Sequence, residues 1–436
     1  MTRRSLPAFA CVPALAVLLA ASAAGGSHPT RPVRSAQFAH AKERVLFSFL
    51  GFNGAYPHAN VALDSAGNVY GTTEWSGAGG GSQGHGIVYQ LSPSSRGKWQ
   101  ERILHRFGKP HDGIFPDNPV TVDALGNVYG TVSNGGRHNG GIVFELSPLS
   151  GSWRYKIIHA FDGNNGSYPA SGVTIDAAGN LYGTTVSGGP GGSAKVKEGA
   201  GVVYELERQQ SGAWTDKRLY VFNVDHSLNP NSPYGGVLFG GAGTIYGTTS
   251  LGGVVCALGG AEGCGTAFAL TLSPRHLEVL HKFYKTSQDG AFPETSLIAD
   301  AAGNLYGATA GGGPEMGGVI FELSRNSRGK WKETILRTFG QGGPDGYGPG
   351  GLVFDKAGNL YGTQAGGGRY GGGVLFVMSP TPSGTWTYTV VYNFGNNQDA
   401  SGPLFGSLAF DSAGNLYGAT GFGGEDNVGA VYEVTP

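Results

Sequence analysis

The sequence predicts an all-β fold, a seven-bladed β-propeller with four antiparallel strands per blade. Three observations predict it. One phrase recurs seven times at near-regular spacing, short apolar runs bounded by Gly and Pro fill the intervals, and long runs of 3.6-residue periodicity are absent. The phrase reads "DSAGNVYGTT" from Asp64 and "DSAGNLYGAT" from Asp411. Its tyrosine stands at Tyr70, Tyr129, Tyr182, Tyr246, Tyr306, Tyr361 and Tyr417, at intervals of 59, 53, 64, 60, 55 and 56 residues. A segment repeated at that spacing is a unit that buries its apolar faces only against copies of itself.

Within a unit the strands follow in order. A short run such as "GVTID" gives the first, and Asp-x-x-Gly-Asn reverses it, because the Asp side chain accepts backbone N–H bonds and Gly-Asn tolerates positive φ. "LYGTT" is the second strand, with Leu and Tyr on opposite covered faces and Gly admitting a neighbouring backbone. Phrases of the type "GIVFELSP" supply the third strand. The fourth opens on Trp99, Trp153, Trp214, Trp331 or Trp386, whose constant register marks them as packing residues. The glutamates of "FEL" (Glu145, Glu205, Glu322, Glu433) are expected to pair across strands with the row of Arg102, Lys156, Lys217 and Lys332. The chain stops on a third strand, "GAVYEVTP". "ERVLFSF", residues 43–49, therefore supplies the missing fourth strand and closes the ring, leaving no bare sheet edge.

The N-terminus divides the chain further. Arg3 and Arg4, the apolar "LPAFACVPALAVLLA" and the small residues Ala21-Ser22-Ala23 predict a secretory signal over residues 1–23. Residues 24–42 form a linker and 43–436 the propeller. No stretch reaches the roughly 20 apolar residues of a membrane span. The formal net charge is −1 without a basic stripe, which argues against nucleic acid as a partner. A monomer, secreted or periplasmic, is expected. Cys256 and Cys264, in one loop of an exported chain, predict a disulfide.

The combination "AGNLYGTT…GG…GVVFEL…W…F…DG..P" resembles the choice-of-anchor tandem-repeat family called GloVer, over about 390 residues from the first strand to the last. The resemblance implies export and a propeller-like array, and brings no catalytic residues or cofactor. Members commonly append a C-terminal anchoring segment, so a chain stopping at Pro436 is expected to be released. The aspartate-turn-strand phrase is also similar to NHL and SMP-30-like propellers.

Antiparallel order puts the loops between second and third strands on the same face as the links between blades. That face is variable, whereas the opposite face repeats its turns, and binding residues sit on variable loops over rigid scaffolds. The loop candidates are Trp75, His85, Arg137, His138, Arg369 and Tyr370, with Glu315 beside them; Trp75 stands out because it breaks the aromatic register. The links add His111, Asp112, Asp289 and Asp345, with Tyr168, His226 and Asp399. The link pattern Asp-Gly-x-Phe-Pro is explained by a turn where each blade begins. The six turn aspartates are not an ion ring, since the fourth unit has "GGAGT" in their place. No catalytic or metal set is assigned and no cofactor is expected, because HExxH, G-x-S-x-G, Asp-x-Asp-x-Asp and phosphate-loop patterns are absent. Two readings stay open. One is a binding module for a polysaccharide or protein on the variable face. The other is an extracellular hydrolase or lyase with a metal-assisted site at the channel mouth, built from link Asp and loop His.

Overall fold

The turn at Asp64 shows how the repeated phrase folds. Asp64 Oδ1 accepts the N–H of Ala66 and of Asn68, both at 2.9 Å, while Oδ2 accepts the Asn68 amide at 2.7 Å and the Tyr70 hydroxyl at 2.9 Å. The same set recurs at Asp123, Asp176, Asp300 and Asp411. One carboxylate thus holds both the reversal and the tyrosine beyond it. The fourth unit, without the acid, closes the turn by a backbone bond from Gly240 N to Thr244 O at 2.8 Å.

The structure is a computed structural model that describes residues 41–436 except 77–83, 96, 191–198, 224–227, 259–261, 341–342, 397–398, 405 and 407. The expected signal peptide, nearly all of the linker and His226 lie outside the described residues. Seven four-stranded antiparallel sheets form the blades of a propeller. In the first, Ala62–Leu63, Val69–Thr73, Ile87–Pro93 and Trp99–Arg106 lie side by side in sequence order. Among the described residues there is no α-helix, and so none long and apolar enough to cross a membrane.

The alternation of strands decides the packing. Val69 enters the core shared by blades 7 and 1, while Tyr70 beside it enters the core shared by blades 1 and 2. Seven such cores lie between successive blades, and the one holding Phe49, Tyr89, Tyr417 and Val431 joins blade 7 to blade 1. Each of the five register tryptophans meets the tyrosine of the preceding blade edge-on. Trp99 lies 6.3 Å from Tyr417, Trp153 6.3 Å from Tyr70, Trp214 6.1 Å from Tyr129, Trp331 6.1 Å from Tyr246 and Trp386 6.0 Å from Tyr306.

Two details differ from the sequence expectation. The glycine of "LYGTT" makes room for an aromatic ring, not a backbone: Gly183 stands directly opposite Tyr204, and a Cβ there would overlap the phenol. The glutamate row is also less regular than expected. Glu205 meets Lys217 at 3.8 Å, but Glu145 reaches Arg208 of the next blade at 3.7 Å and Lys332 sits opposite Ser324. These acids serve the tyrosine as well, since the Tyr182 hydroxyl donates to Glu205 at 2.8 Å and that of Tyr417 to Glu433 at 3.1 Å.

The strand Lys42–Ser48 pairs antiparallel with Ala430–Thr435, from Lys42 opposite Thr435 to Ser48 opposite Ala430, with an Arg44–Glu433 ion pair at 2.7 Å. Deleting residues 43–49 leaves the last strand as a bare edge and uncovers Val431 and Tyr432. A sharply lower Tm is expected by calorimetry, and an unchanged melt would contradict a role for this strand in closing the ring. Gly183→Ala should destabilise the protein by about 1–3 kcal/mol in urea melts, because the new methyl has no room beside Tyr204.

Candidate functional site at the channel mouth

Every blade link ends in a residue followed by proline: Tyr56-Pro57, Phe115-Pro116, Tyr168-Pro169, Ser232-Pro233, Phe292-Pro293, Gly348-Pro349 and Gly402-Pro403. In all seven the residue before proline is left-handed, with φ between 57° and 66°. That conformation is costly for a non-glycine residue and persists only where its surroundings hold it. Here they do. Phe115 N donates to His85 O at 3.0 Å, Tyr168 N to Gly140 O at 2.8 Å and Phe292 N to Cys264 O at 2.9 Å. The proline ring then lies on a glycine of the preceding blade so closely that a Cβ on Gly86 would collide with Pro116.

The chain next turns down into the channel and is fixed by the preceding blade's second strand. Thr72 Oγ1 donates to Asn118 O at 3.1 Å, Thr131 to Ser171 O at 2.6 Å and Thr184 to Gly235 O at 3.0 Å. The residue after each proline is therefore held by the same backbone scaffold while its side chain is free to differ. Reading round the ring, these residues are His58, Asp117, Ala170, Tyr234, Glu294, Gly350 and Leu404.

The first five line a central cavity of about 240 Å³, together with Asn60, Asn118 and Tyr168. His58 Nε2 lies 3.2 Å from Glu74 Oε2, and the hydrogen bond from His58 holds the Glu74 carboxyl below its ordinary range. Burial pushes Asp117 and Glu294 the other way. Asp117 is exposed at the cavity, yet protein surrounds it on most sides, and the loss of bulk solvent raises its carboxyl. Burial also raises the phenols of Tyr168 and Tyr234, so both remain hydroxyl donors at neutral pH. The cavity thus presents Asp117, Glu294 and His58, the last paired with Glu74. It can accept hydrogen bonds from hydroxyl or ammonium groups and offers two tyrosines for contact.

Of the sequence candidates among the described residues, only Tyr168 lines this cavity. The link aspartates do not converge there. They bridge the outer strands of consecutive blades instead. Asp112 is buried and accepts from His105 Nε2 at 2.9 Å, the Tyr155 hydroxyl at 2.6 Å and Gly113 N at 3.0 Å. Asp289 takes the same place beside His281, Asp345 pairs with Arg337, and Asp399 accepts from the Tyr392 hydroxyl.

The loop candidates fall into separate groups. Trp75 is half-buried, its ring 4.6 Å from that of Phe115, which also touches His85 at 5.9 Å. His111, Arg137 and His138 do come together, along an open groove of about 450 Å³ beside Ile157 and His159. The Arg369 guanidinium lies 5.5 Å over Tyr370, which is 44% exposed, and Glu315 is exposed. Cys256 and Cys264 are disulfide-bonded and pack with Ala291, Tyr284 and Phe292. The signal for the channel residues was present in the sequence: a position next to a constant proline whose chemistry changes in every repeat.

One of the blade bridges titrates. At the junction of blades 6 and 7, Glu43 meets Asp399, and burial followed by that neighbouring carboxyl pushes Glu43 from 4.5 to about 9. The folded chain keeps a proton that the unfolded chain releases, so this contribution is complete below the unfolded value and is lost as pH rises through about 9. The Tm of the native protein should therefore fall more steeply from mildly acid to alkaline pH than that of Glu43→Gln. Parallel curves in a pH series of thermal melts would contradict this.

Four-stranded blades in a ring of seven shared cores, with one polar channel mouth, define a repeat-built β-propeller. The chain belongs to the Gloeobacter/Verrucomicrobia repeat family, whose profile matches residues 22–257, 192–381 and 254–436. Among solved structures it is similar to the extracellular domain of the hybrid two-component system BT4673 from B. thetaiotaomicron, at 12% identity and a TM-score of 0.52, covering 90% of this chain and 40% of that one. The corresponding domain of BT3049 from the same organism gives 11% identity and 0.51, covering 90% and 41%. PorZ, an essential surface component of the type-IX secretion system of Porphyromonas gingivalis, gives 15% and 0.50, covering 89% and 47%. This chain spans less than half the length of those three proteins, and the likeness is one of fold. Among curated proteins, none matches this sequence.

Proposed function

We propose that the protein is an exported, non-enzymatic binding module that takes one polar group of a glycan, cell-wall polymer or protein into its channel mouth. The observation that carries this reading is the ring of residues after the prolines. Seven copies keep the kink and the proline, yet five set His58, Asp117, Ala170, Tyr234 and Glu294 on the cavity, and the other two carry Gly350 and Leu404 at the equivalent position. Uniform scaffolding under varied chemistry is what a binding surface needs.

The size of the cavity narrows the ligand. At about 240 Å³ it lies below the common range for small-molecule sites, enough for a single sugar ring or one amino-acid side chain. A polymer would thus be recognised by a terminus or branch, with its remainder lying across the variable loops near Tyr370 and Trp75. Two carboxyl groups lining the cavity, Asp117 and Glu294, favour a group rich in hydroxyl or amino donors. Export is supported by the disulfide and by the extracellular or surface setting of BT3049, BT4673 and PorZ.

The test is a screen of the purified protein against glycans, peptidoglycan fragments and peptides, read by calorimetry. For the ligand found, Asp117→Asn and Tyr234→Ala should each weaken binding roughly tenfold or more, about 1.4 kcal/mol, while Arg137→Ala should leave it unchanged. Hydrolysis of a screened polymer would overturn the binding reading. Binding that survives both channel substitutions but is lost with Trp75→Ala would move the site to the loops.

A further inference from the structure

The junction between blades 4 and 5 departs from its sister junctions in a way that calls for a cation. Where blades 1 and 2 meet, His105, Asp112 and Tyr155 form a satisfied set: both oxygens of Asp112 have donors, one the phenol of Tyr155. Where blades 4 and 5 meet, His281 and Asp289 occupy the equivalent places, but the position of Tyr155 is taken by Glu333. A donor has been replaced by a second acceptor. Asp289 Oδ2 accepts Lys285 N at 3.2 Å, yet Asp289 Oδ1 and Glu333 Oε1 are buried without a hydrogen-bond partner. The three side chains are only 10%, 6% and 12% exposed for His281, Asp289 and Glu333. Two buried carboxyl groups facing one another are costly unless something positive lies between them.

We infer that His281, Asp289 and Glu333 bind a first-row divalent cation, Zn²⁺ foremost, which fastens blade 4 to blade 5. One nitrogen and two carboxylate oxygens are a donor set suited to that class of ion. The spacing fits as well. A tetrahedral ion with bonds near 2.1 Å holds its donors about 3.4 Å apart. Here His281 Nε2 lies 3.2 Å from Asp289 Oδ2 and 3.4 Å from Glu333 Oε2, and one donor atom from each residue lies within 4.8 Å of the others. Among the described residues this is the one group of three that gathers such donors so closely. The ligands come from the outer strand of blade 4, the blade link and the outer strand of blade 5, so the ion spans the junction.

The test uses the full chain, stripped with a chelator and titrated with Zn²⁺ alone. One equivalent is expected to bind and to raise Tm. His281→Gln and Glu333→Gln should each weaken binding at least about tenfold, since loss of mere supporting contacts to a metal ligand already costs that much. Glu333→Tyr, which rebuilds the arrangement at Tyr155, should fold and lose the Zn²⁺-dependent rise in Tm. Because surface histidines also bind Zn²⁺, His138→Ala serves as a control and should retain the response. Co²⁺ in the native protein should show the visible bands of a low-symmetry site. A response unchanged in Glu333→Tyr, lost in His138→Ala, or absent from the native chain would overturn the assignment, the last result meaning that the two carboxyl groups share a proton.

Discussion

The structure depends on a tyrosine held at both ends. Its hydroxyl is bound by the turn aspartate of its own blade, and its ring takes the edge of a tryptophan from the next. A hydrogen bond to a charged acceptor contributes about 1.5–3 kcal/mol, and an aromatic pair about 0.5–1.5 kcal/mol beyond its buried area. Neither is large alone. The coupling matters more: the turn that makes a blade also orients the ring that joins it to its neighbour. A blade with a disordered turn would present its neighbour with a misplaced tyrosine, so local folding and ring assembly become one event.

Much of this was legible in the sequence because a repeat repeats its physics. Asp64, Asn68 and Tyr70 stand in fixed order, and chemistry that must bond within six residues leaves a contiguous trace. The glycine of "LYGTT" was legible as a close approach, but not what approached, because Tyr204 is opposite it only once the register of two strands is set. The candidate site was harder. His58, Asp117, Tyr234 and Glu294 come from four blades, and their common feature is the proline before each, whose left-handed kink turns four unlike side chains toward one cavity only once the ring is closed. Conspicuous loop residues such as Trp75 drew attention instead, and Trp75 spends much of its surface on Phe115. The link aspartates misled for a related reason. Asp112 has an acid's chemistry, but its bonds to His105 and Tyr155 are set by two outer strands distant in sequence.

Blade 4 shows what happens when the repeat erodes. It lacks the turn acid, and Arg275 begins its outer strand where five other blades use tryptophan. Phe239 takes over on the preceding tyrosine, its ring 4.8 Å from Tyr182. The same blade carries the Cys256–Cys264 bond, and one edge of it is held through His281. Covalent and polar fastenings thus gather where the standard one is missing, a distribution that suits a ring whose weakest joint governs the whole.

The pairing of Lys42–Ser48 with Ala430–Thr435 has a consequence in time as well as in space. The strand that completes the last blade is made among the first, and nearly the whole propeller must be synthesised before its partner exists. Forming that contact closes a loop that spans nearly the whole propeller, and contacts of such separation are among the slowest to form. Until then the early blades wait with one flank uncovered. A chain arranged this way commits to its final form only once the strand Ala430–Thr435 has been made.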